Sequence, residues 1–360
     1  MARSLRPPLT GIGRYTLNLA TRMAPMLHPD RLTLFLTREV RGLNGLDCDR
    51  IVSPVPTPHE VFRAAWEHTA VPYETFRHKI DVYHSPNYTL PLALPCPGVV
   101  TIHDLAFMDP RFHNTRLRLY LKLLTGVSIR RAAHVVAVSR YTKGEIERRF
   151  PHAAGKVSVV YSGLDPVFEN QNGAPSVSNG GRPYVLFVGS IEPRKNLKRL
   201  IRAFELAMDQ TGLPHELVLC GPWGWRYQPV VEALAGSPMR DRIRHLGYVP
   251  SSELPRLYAG ADALTYPSLD EGFGFPIIEA MSTGTPVITS DRAAPPEVAG
   301  GAALTVTPEN VEAIAAAIGS VLTDPALADD LAQRGRARAA EFSWARAAEQ
   351  TIDILRSVAR

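Results

Sequence analysis

With 360 residues, the chain is too long for one ordinary hydrophobic core and long enough for two domains. It contains no run of about 18 apolar residues and only three scattered cysteines, which argues against a transmembrane helix, a disulfide framework and a zinc site and favours the cytoplasm. The net charge of +5 is uneven, with 22 Lys and Arg against 14 Asp and Glu in residues 1–170, so anionic partners are expected; no recognition motif points to nucleic acid.

The first half of the chain alternates short apolar runs with amphipathic stretches. Helices are predicted at Tyr15–Met26 and Arg116–Ala132. Strands are predicted at Leu32–Leu36, Val82–His84, Gly98–Ile102, Val135–Val138 and Val157–Val160. Residues 171–182 are polar and rich in Gly, Ser and Asn, which predicts a linker between a first domain at 1–170 and a second domain at 183–341.

The second half repeats the alternation. Its predicted strands are Tyr184–Val188, Glu216–Cys220, Ile243–Leu246, Ala263–Tyr266 and Pro286–Ile288. Its predicted helices are Leu197–Met208, Ser252–Ala259, Phe275–Ser282 and Val311–Leu322. Strands that alternate with helices form parallel sheets, so the predicted fold class is α/β, with two doubly wound Rossmann-like domains facing a cleft. Ligands of such sheets bind where strands end, which makes each loop after a strand a candidate site.

Two cations follow the predicted strand Tyr184–Val188. Gly189 allows a tight exit from the strand, and Asn196 is a plausible N-cap for the next helix. Between them, Arg194 and Lys195 stand beside a helix N-terminus, which also favours anions. The pattern suits a diphosphate, although an isolated Arg-Lys pair is also typical of a solvated helix start.

Two carboxylates bracket a glycine turn in the segment DEGFGFPIIEAMSTGTPVITSD. Glu271 lies in the loop after a strand, and Glu279 falls one turn into the following helix. Gly272 and Gly274 let the backbone approach a ligand closely. The carboxylates could hold two groups of one ligand, whereas in a purely structural interpretation Glu271 complements the helix dipole and Glu279 is a surface residue. The apolar neighbours of Glu279 argue against a surface position.

These segments resemble the family 4 retaining glycosyltransferases of the GT-B fold. The resemblance rests on GSIEPRKNLKRLIRAF, LGYVP and the two glutamates eight positions apart in the second half. In the first half, GIGRYTLNL, HDLAFMDP, VSRYTKGEI and VYSGLD are similar to the mannosyltransferase-like branch. The resemblance covers nearly the whole chain, and the motifs occur in the order that the family shows.

The resemblance implies a role for each matching residue. Arg194 and Lys195 are expected to hold the donor diphosphate, Glu271 to contact the donor sugar and Glu279 to bind the ribose. His103 is expected near the sugar, and with Arg194, Lys195 and Glu271 it makes up the predicted catalytic set. Gly11 and Gly13 match the glycine loop that faces the phosphates in the family. With them, the remaining predicted nucleotide-sugar contacts are Gly189, Ser190, Tyr248, Val249, Gly274 and Phe275. Asp104 suits a sugar contact or a helix cap equally, and Ser139 and Arg140 are weaker candidates at a strand end.

The implied reaction is the transfer of a hexose from a nucleotide-sugar, with retention, to a glycan or lipid-linked glycan in cell-surface polysaccharide biosynthesis. Two cations and helix dipoles can stabilise a leaving diphosphate, so neither a cofactor nor a metal is expected. Similarity to the mannosyltransferase-like branch favours GDP-mannose as the donor. A UDP-sugar donor and a non-catalytic nucleotide-sugar-binding protein remain the alternatives.

Three other features carry weaker signals. Asp47 and Asp49 form an Asp-x-Asp in a segment interpreted as a surface turn, and His59-Glu60 and Glu67-His68 lack the spacing of a zinc protease. The predicted helix Arg116–Ala132 is rich in Arg and Lys among Leu and Tyr. It could dock peripherally on an anionic membrane at its inner face, line the acceptor or simply be solvated.

Two expectations concern the ends of the chain. The final helix, Ser343–Ala359, is expected to return to the first domain, with Phe342 and Trp344 as anchors, as the resemblance implies. At the other end, Pro7 and Pro8 cannot continue a central strand, so at most a stub of the first strand is predicted within residues 1–8. We interpret this as a late start of the chain relative to its family.

Overall fold

The computed structural model describes residues 11–38, 40–43, 45–53, 65–112, 115–168 and 182–359. The chain forms two compact units: Met1–Gly163 with Ser343–Arg360, and Leu164–Phe342. The second unit is therefore inserted into the sequence of the first. The predicted stub in residues 1–8, His59 and Glu60, and all but residue 182 of the predicted linker lie outside the described residues.

The first boundary between the units lies between Gly163 and Leu164. The sequence had predicted that the first domain ends later, at residue 170. Leu164 N donates a hydrogen bond to Phe342 O at 3.1 Å, and the ring of Phe168 meets that of Tyr258 with 5.8 Å between centroids. These contacts tie residues 164–168 to the second unit although they precede the polar stretch.

All strand pairs of the first unit are parallel in the part of the chain that the structure describes. One sheet has the order β3-β4-β5-β6, and β1 pairs with β2 separately. The strands are β1 Thr33–Leu36, β2 Asp49–Val52, β3 Tyr83–Ser85, β4 Gly98–Ile102, β5 His134–Ala137 and β6 Val157–Val159. The main helices are α1 Gly11–Met23, α2 Ala70–Arg77, α3 Thr115–Arg131 and α4 Arg140–Arg149.

Two predictions for the first unit are wrong. Gly11 and Gly13 form the first turn of α1 and not a loop, and Asp49 begins strand β2 where a surface turn was predicted. Helix α1 starts this early because Tyr15, Leu19 and Met23 recur at helical spacing and are buried, which rewards a helix that includes the glycines before them.

The second unit holds one parallel sheet of order β12-β11-β10-β7-β8-β9. Its strands are β7 Tyr184–Val188, β8 Glu216–Cys220, β9 Ile243–Gly247, β10 Ala263–Tyr266, β11 Val287–Ser290 and β12 Leu304–Val306. Its helices are α5 Leu197–Thr211, α6 Gln228–Ala235, α7 Leu254–Ala259, α8 Phe275–Thr283, α9 Pro295–Ala299, α10 Val311–Thr323 and α11 Pro325–Ala339. The order reverses between β10 and β7, so the loops that leave these two strands frame the position where doubly wound sheets bind ligands.

The last helix, α12 Trp344–Ala359, belongs to the first unit and packs against α1. A side chain at Gly163 would place its Cβ 2.2 Å from Trp344 N, so the backbone at the start of α12 lies directly on this glycine. Trp344 is buried in the first unit as predicted, whereas Phe342 is a residue of the second unit, where its ring meets Phe273.

No single described helix is long and apolar enough to cross a membrane. The segments Val311–Thr323 and Pro325–Ala359 reach the necessary length and composition only when they are taken together, and they are bent by 97° at the break between them.

Candidate functional site

The cations predicted to bind diphosphate lie in a short 3₁₀ turn, Pro193–Lys195, between β7 and α5. Asn196 ends this turn with a left-handed backbone (φ 63°), and its side chain does not cap α5 as predicted. Its amide instead donates to Pro267 O at 3.0 Å and to Pro308 O at 2.6 Å. Asn196 thus ties the loop after β7 to the loop after β10, which fixes where the two cations stand.

Both cations reach Glu271, which follows β10. Arg194 Nη1 lies 2.6 Å from Glu271 Oε2, and Lys195 Nζ lies 2.5 Å from Glu271 Oε1. The Tyr266 hydroxyl donates to Glu271 Oε1 at 2.9 Å, and Arg194 Nη2 donates to Glu192 Oε1 at 3.0 Å. We call these five residues the Glu271 cluster.

Burial and charge compete at the Glu271 cluster. Burial opposes ionisation of Glu271, but Arg194 and Lys195 outweigh it and lower the pKa of the carboxyl to about 2. Burial and the Glu271 charge raise the pKa of Tyr266 well above its ordinary value, so its hydroxyl stays protonated and donates. Two carboxylates thus neutralise two cations in a site where Lys195 and Glu271 are buried and Arg194 and Glu192 are half-buried.

The protein should lose stability in acid through Glu271. The pKa of its carboxyl is about 2 in the folded protein against an ordinary value of 4.5, so the unfolded chain binds the proton first as the pH falls. The stabilisation is about 3 kcal/mol at neutral pH, is complete above the unfolded pKa, and about 2 kcal/mol of it is lost by about pH 3. We therefore compare wild type with Glu271→Gln by urea unfolding at neutral pH and at about pH 3. The difference between their unfolding free energies should be smaller at about pH 3 by about 2 kcal/mol.

The control for this titration is Glu312→Gln, which removes an exposed carboxylate at the start of α10. Its unfolding free energy should follow the pH dependence of the wild type. If Glu271→Gln also follows the wild type between neutral pH and about pH 3, the ion pairs of the cluster contribute no stability.

Glycines let the loops of this site approach one another. A Cβ at Gly221, just after β8, would lie 2.0 Å from Gly189 O, and both glycines have positive φ angles (143° and 152°). A Cβ at Gly189 would lie 3.6 Å from Lys195 Cε. Gly274 also has a positive φ of 109° and turns the chain into α8, directly before Phe275. Ser190 follows Gly189 in the same loop and is partly exposed.

Glu279 lies on α8 and is 1% exposed, which excludes the surface position. Its Oε2 accepts a hydrogen bond from the Tyr258 hydroxyl at 2.7 Å. Burial and the Glu279 charge raise the pKa of the Cys220 thiol to about 12. A hydrogen bond with the Val249 backbone lowers this pKa but does not offset the other two effects. Glu279, Cys220 and Val249 therefore lie together, where β8 ends and the segment after β9 begins.

The other predicted residue after β9, Tyr248, is 50% exposed. Nearby, the loop after β8 carries Trp223, which is 39% exposed and packs against His245 with 4.3 Å between ring centroids and 57° between ring planes. Trp223 also forms an isolated parallel bridge with Ile191 in the loop of the cations. Aromatic side chains therefore line the same sheet edge as the Glu271 cluster.

In the first unit, His103 follows β4 and is half-buried. Its Nε2 lies 2.7 Å from Pro86 O, and the ring of Tyr15 on α1 meets it edge-on at 4.7 Å. Asp104 caps the next turn, since its Oδ1 accepts from Ala106 N at 3.1 Å. The Ser139 hydroxyl is likewise used as the N-cap of α4.

The weaker metal candidates gain no support. Glu67 is buried and accepts a hydrogen bond from Thr89 Oγ1 at 2.8 Å, which is a structural role. Across the described ranges, no group of three or more His, Cys, Asp or Glu side chains is arranged to hold a metal ion.

Two protein-family models match the chain in succession. The model for glycosyltransferase family 4 matches residues 9–168, and the model for glycosyl transferases group 1 matches residues 169–338. The O-antigen chain mannosyltransferase B of Escherichia coli is 32% identical over an alignment of 373 positions. The alignment covers 97% of this chain and 96% of that protein. The chain belongs to the family 4 glycosyltransferases. This glycosyltransferase is a hexosyltransferase of the GT-B fold.

Solved structures agree on the fold of this glycosyltransferase. WaaG, a glycosyltransferase involved in lipopolysaccharide biosynthesis, superimposes with a TM-score of 0.75 at 17% identity and covers 96% of each chain. Anabaena HepE, solved with UDP and glucose, superimposes with a TM-score of 0.73 at 20% identity over 97% of this chain and 96% of its own.

Sequence reasoning missed three members of the site. Glu192 and Tyr266 complete the Glu271 cluster, and Tyr258 holds Glu279. Tyr266 is the last residue of a correctly predicted strand, so its position at the sheet edge was a usable signal. Tyr258 lies at the end of α7, 21 positions from its partner, and no local pattern connects the two.

Proposed function

We propose that this glycosyltransferase moves mannose from GDP-mannose, with retention, to a glycan or lipid-linked glycan acceptor in cell-surface polysaccharide biosynthesis. The observation that carries the proposal is the Glu271 cluster, in which the buried Lys195 and the half-buried Arg194 stand at the reversal point of the sheet. The choice of mannose is supported by the 32% identity to an O-antigen chain mannosyltransferase over nearly the whole chain.

The proposed chemistry follows from the charges of the cluster. The diphosphate of the donor competes with Glu271 for Arg194 and Lys195, which frees the Glu271 carboxylate to accept hydrogen bonds from sugar hydroxyls. The bond between the anomeric carbon and the phosphate oxygen breaks, and the acceptor oxygen bonds to that carbon from the same face. The acceptor proton passes to the leaving phosphate, whose charge is stabilised by both cations and by the backbone N–H groups at the start of α8.

Release of nucleotide from a panel of GDP- and UDP-sugars, with and without lipid-linked glycan, tests the donor and the reaction. GDP-mannose should give the fastest acceptor-dependent release, and GDP should raise the melting temperature more than UDP. Faster turnover of a UDP-sugar would replace the proposed donor. Stabilisation by nucleotide without turnover of any donor would instead identify a nucleotide-sugar-binding protein.

Transfer should need no metal ion or cofactor, because the two cations and the start of α8 supply the positive charge around the diphosphate. We expect the initial rate to be unchanged after dialysis against EDTA. If EDTA abolishes activity and added Mn²⁺ restores it while added Mg²⁺ does not, this expectation is wrong. Asp47 and Asp49 would then return as candidate metal ligands.

We also propose that α3 contacts an anionic membrane. Leu119 and Leu123 are 66% and 63% exposed, Tyr120 beside them is 46% exposed, and the helix carries five Arg and Lys and no acidic residue. Such a face combines apolar insertion with attraction to negative headgroups.

Co-sedimentation with vesicles tests this contact. Binding should require phosphatidylglycerol and should fail with phosphatidylcholine alone. The double variant Leu119→Ser/Leu123→Ser should lose binding, whereas Val231→Ser, which removes an exposed apolar side chain of the second unit, should bind as wild type. If the double variant binds the vesicles as well as Val231→Ser does, α3 does not form the membrane contact.

A further inference from the structure

Among the described residues, one hydrogen bond holds the imidazole of His103, at Nε2. Nε2 lies 2.7 Å from Pro86 O, and because a carbonyl only accepts, Nε2 carries the proton and donates. Burial lowers the pKa of His103, so the ring is neutral at neutral pH and Nδ1 carries a lone pair. One hydrogen bond fixes the tautomer but leaves the ring free to tilt about it.

Aromatic rings restrict that tilt. Tyr15 meets His103 edge-on, with 4.7 Å between centroids and 87° between planes, and Tyr88 meets it at 5.9 Å and 69°. Edge-to-face pairs of this kind have a preferred geometry that resists rotation of either ring. Tyr15 is 1% exposed, so it has no free volume into which to withdraw.

Tyr15 is held in turn by the last helix of the chain. The ring of Trp344, the first residue of α12, meets Tyr15 with 5.5 Å between centroids and 70° between planes. Trp344 is 2% exposed, and its backbone lies on Gly163, where a Cβ would come within 2.2 Å of it. Trp344, Tyr15 and His103 thus form one continuous stack inside the first unit.

We propose that Tyr15 and Trp344 are positioning residues that hold the His103 ring in its working orientation, so that the start of α12 sets the geometry of the site in the first unit. The proposal rests on the proposed transfer reaction and on the place near the donor sugar that the family resemblance implies for His103. Neither aromatic residue needs to touch a substrate, because each acts through the ring next to it. The stack uses ring edges and faces, so the phenol oxygen of Tyr15 is dispensable for positioning.

Variants of the stack test this in the full-length protein. Tyr15→Leu and Trp344→Leu should each lower kcat for sugar transfer by about 10- to 100-fold, because a reacting group that is misplaced by about 1 Å loses rate on that scale, with little change in the KM of the donor. Tyr15→Phe keeps the ring and should restore nearly normal kcat. Phe35→Leu is the matched control, since Phe35 forms a buried aromatic pair with Tyr83 in the same unit, 5.8 Å apart.

A direct view of the ring separates positioning from loss of stability. In ¹⁵N-histidine-labelled protein, with the signal of His103 assigned by His103→Gln, the wild type should show a protonated Nε2 and a pKa below the ordinary value. The charge of Asp104 opposes that shift. The other titratable side chains beside the ring are Tyr15, Tyr88 and His84. Tyr15→Leu and Trp344→Leu should move the pKa toward the ordinary value, and Phe35→Leu should not.

If Tyr15→Leu folds with unchanged His103 signals and unchanged kcat, the proposal is wrong. If Phe35→Leu lowers kcat and stability as much as Tyr15→Leu does, Tyr15 acts only as a core residue, and the proposal is again wrong. The resonance measurement needs no substrate, so it decides the positioning claim even if the proposed donor proves incorrect.

Discussion

Arg194→Ala and Lys195→Ala should each slow sugar transfer by about 10²- to 10³-fold, the loss typical of removing one electrostatic donor to a transition state. Both side chains stand on one carboxylate, with Nη1 of Arg194 2.6 Å and Nζ of Lys195 2.5 Å from the two oxygens of Glu271. Neither cation can substitute for the other, because each approaches from its own side. The measurement is the initial rate at saturating donor, well below the melting temperature of each variant.

Stability needs a separate measurement in these variants. Lys195 is buried and also donates to the Tyr266 hydroxyl at 2.6 Å, so Lys195→Ala leaves a buried carboxylate with a single cation and should cost about 3 kcal/mol or more. Lys198→Ala removes an exposed cation three positions later in α5 and should preserve both rate and stability. Nearly normal rates in both Arg194→Ala and Lys195→Ala would sink the assignment of the diphosphate site.

Glu279→Ala should weaken binding of free GDP by about 10- to 100-fold, the cost of losing hydrogen bonds to a buried charge. Glu279 is buried on α8 and its charge acts on Cys220 at the end of β8, and we propose that this carboxylate binds the ribose. Glu271→Ala should instead impair transfer with little loss of affinity for GDP, because the proposed partner of Glu271 is the sugar and not the nucleotide. Calorimetric titration with GDP and initial rates with GDP-mannose measure the two effects.

A milder change at the same position refines this test. Tyr258→Phe removes the hydroxyl that donates to Glu279 Oε2 but keeps the carboxylate, so GDP affinity should fall by only a few-fold. If Glu271→Ala and Glu279→Ala alter affinity and rate in the same proportions, the two carboxylates do not divide the ligand between them.

Most strands of the four- and six-stranded sheets could be predicted because many of them are buried on both faces and are therefore apolar runs, as in Val185 to Val188. Strand β12 was missed, since only Val306 of its three residues is buried. Strand β2 was missed because Asp49 and Arg50 begin it, and none of its four residues is fully buried. The glycines before Tyr15 were interpreted as a loop, since glycine ordinarily weakens a helix, but the buried face of α1 outweighs that preference.

The site was predicted residue by residue but not as an assembly. Arg194, Lys195 and Glu271 were each assigned to a part of the ligand, whereas in the structure they bind one another across 76 or more positions of sequence. Asn196 is a second example. It was predicted to cap its own helix, but its side chain donates to two carbonyls in other loops. Contacts between loops depend on the order of strands in the sheet, which no local pattern encodes.

The insertion of the second unit into the first affects the order of events at the ribosome. Domains ordinarily fold as they are synthesised, with the N-terminal one first. Here the buried face of α1 packs against α12, which is made only after the whole of Leu164–Phe342. The unit that begins the chain is therefore the last to close. Until then Tyr15 lacks Trp344, its ring partner at the start of α12, so the core of the first unit remains incomplete.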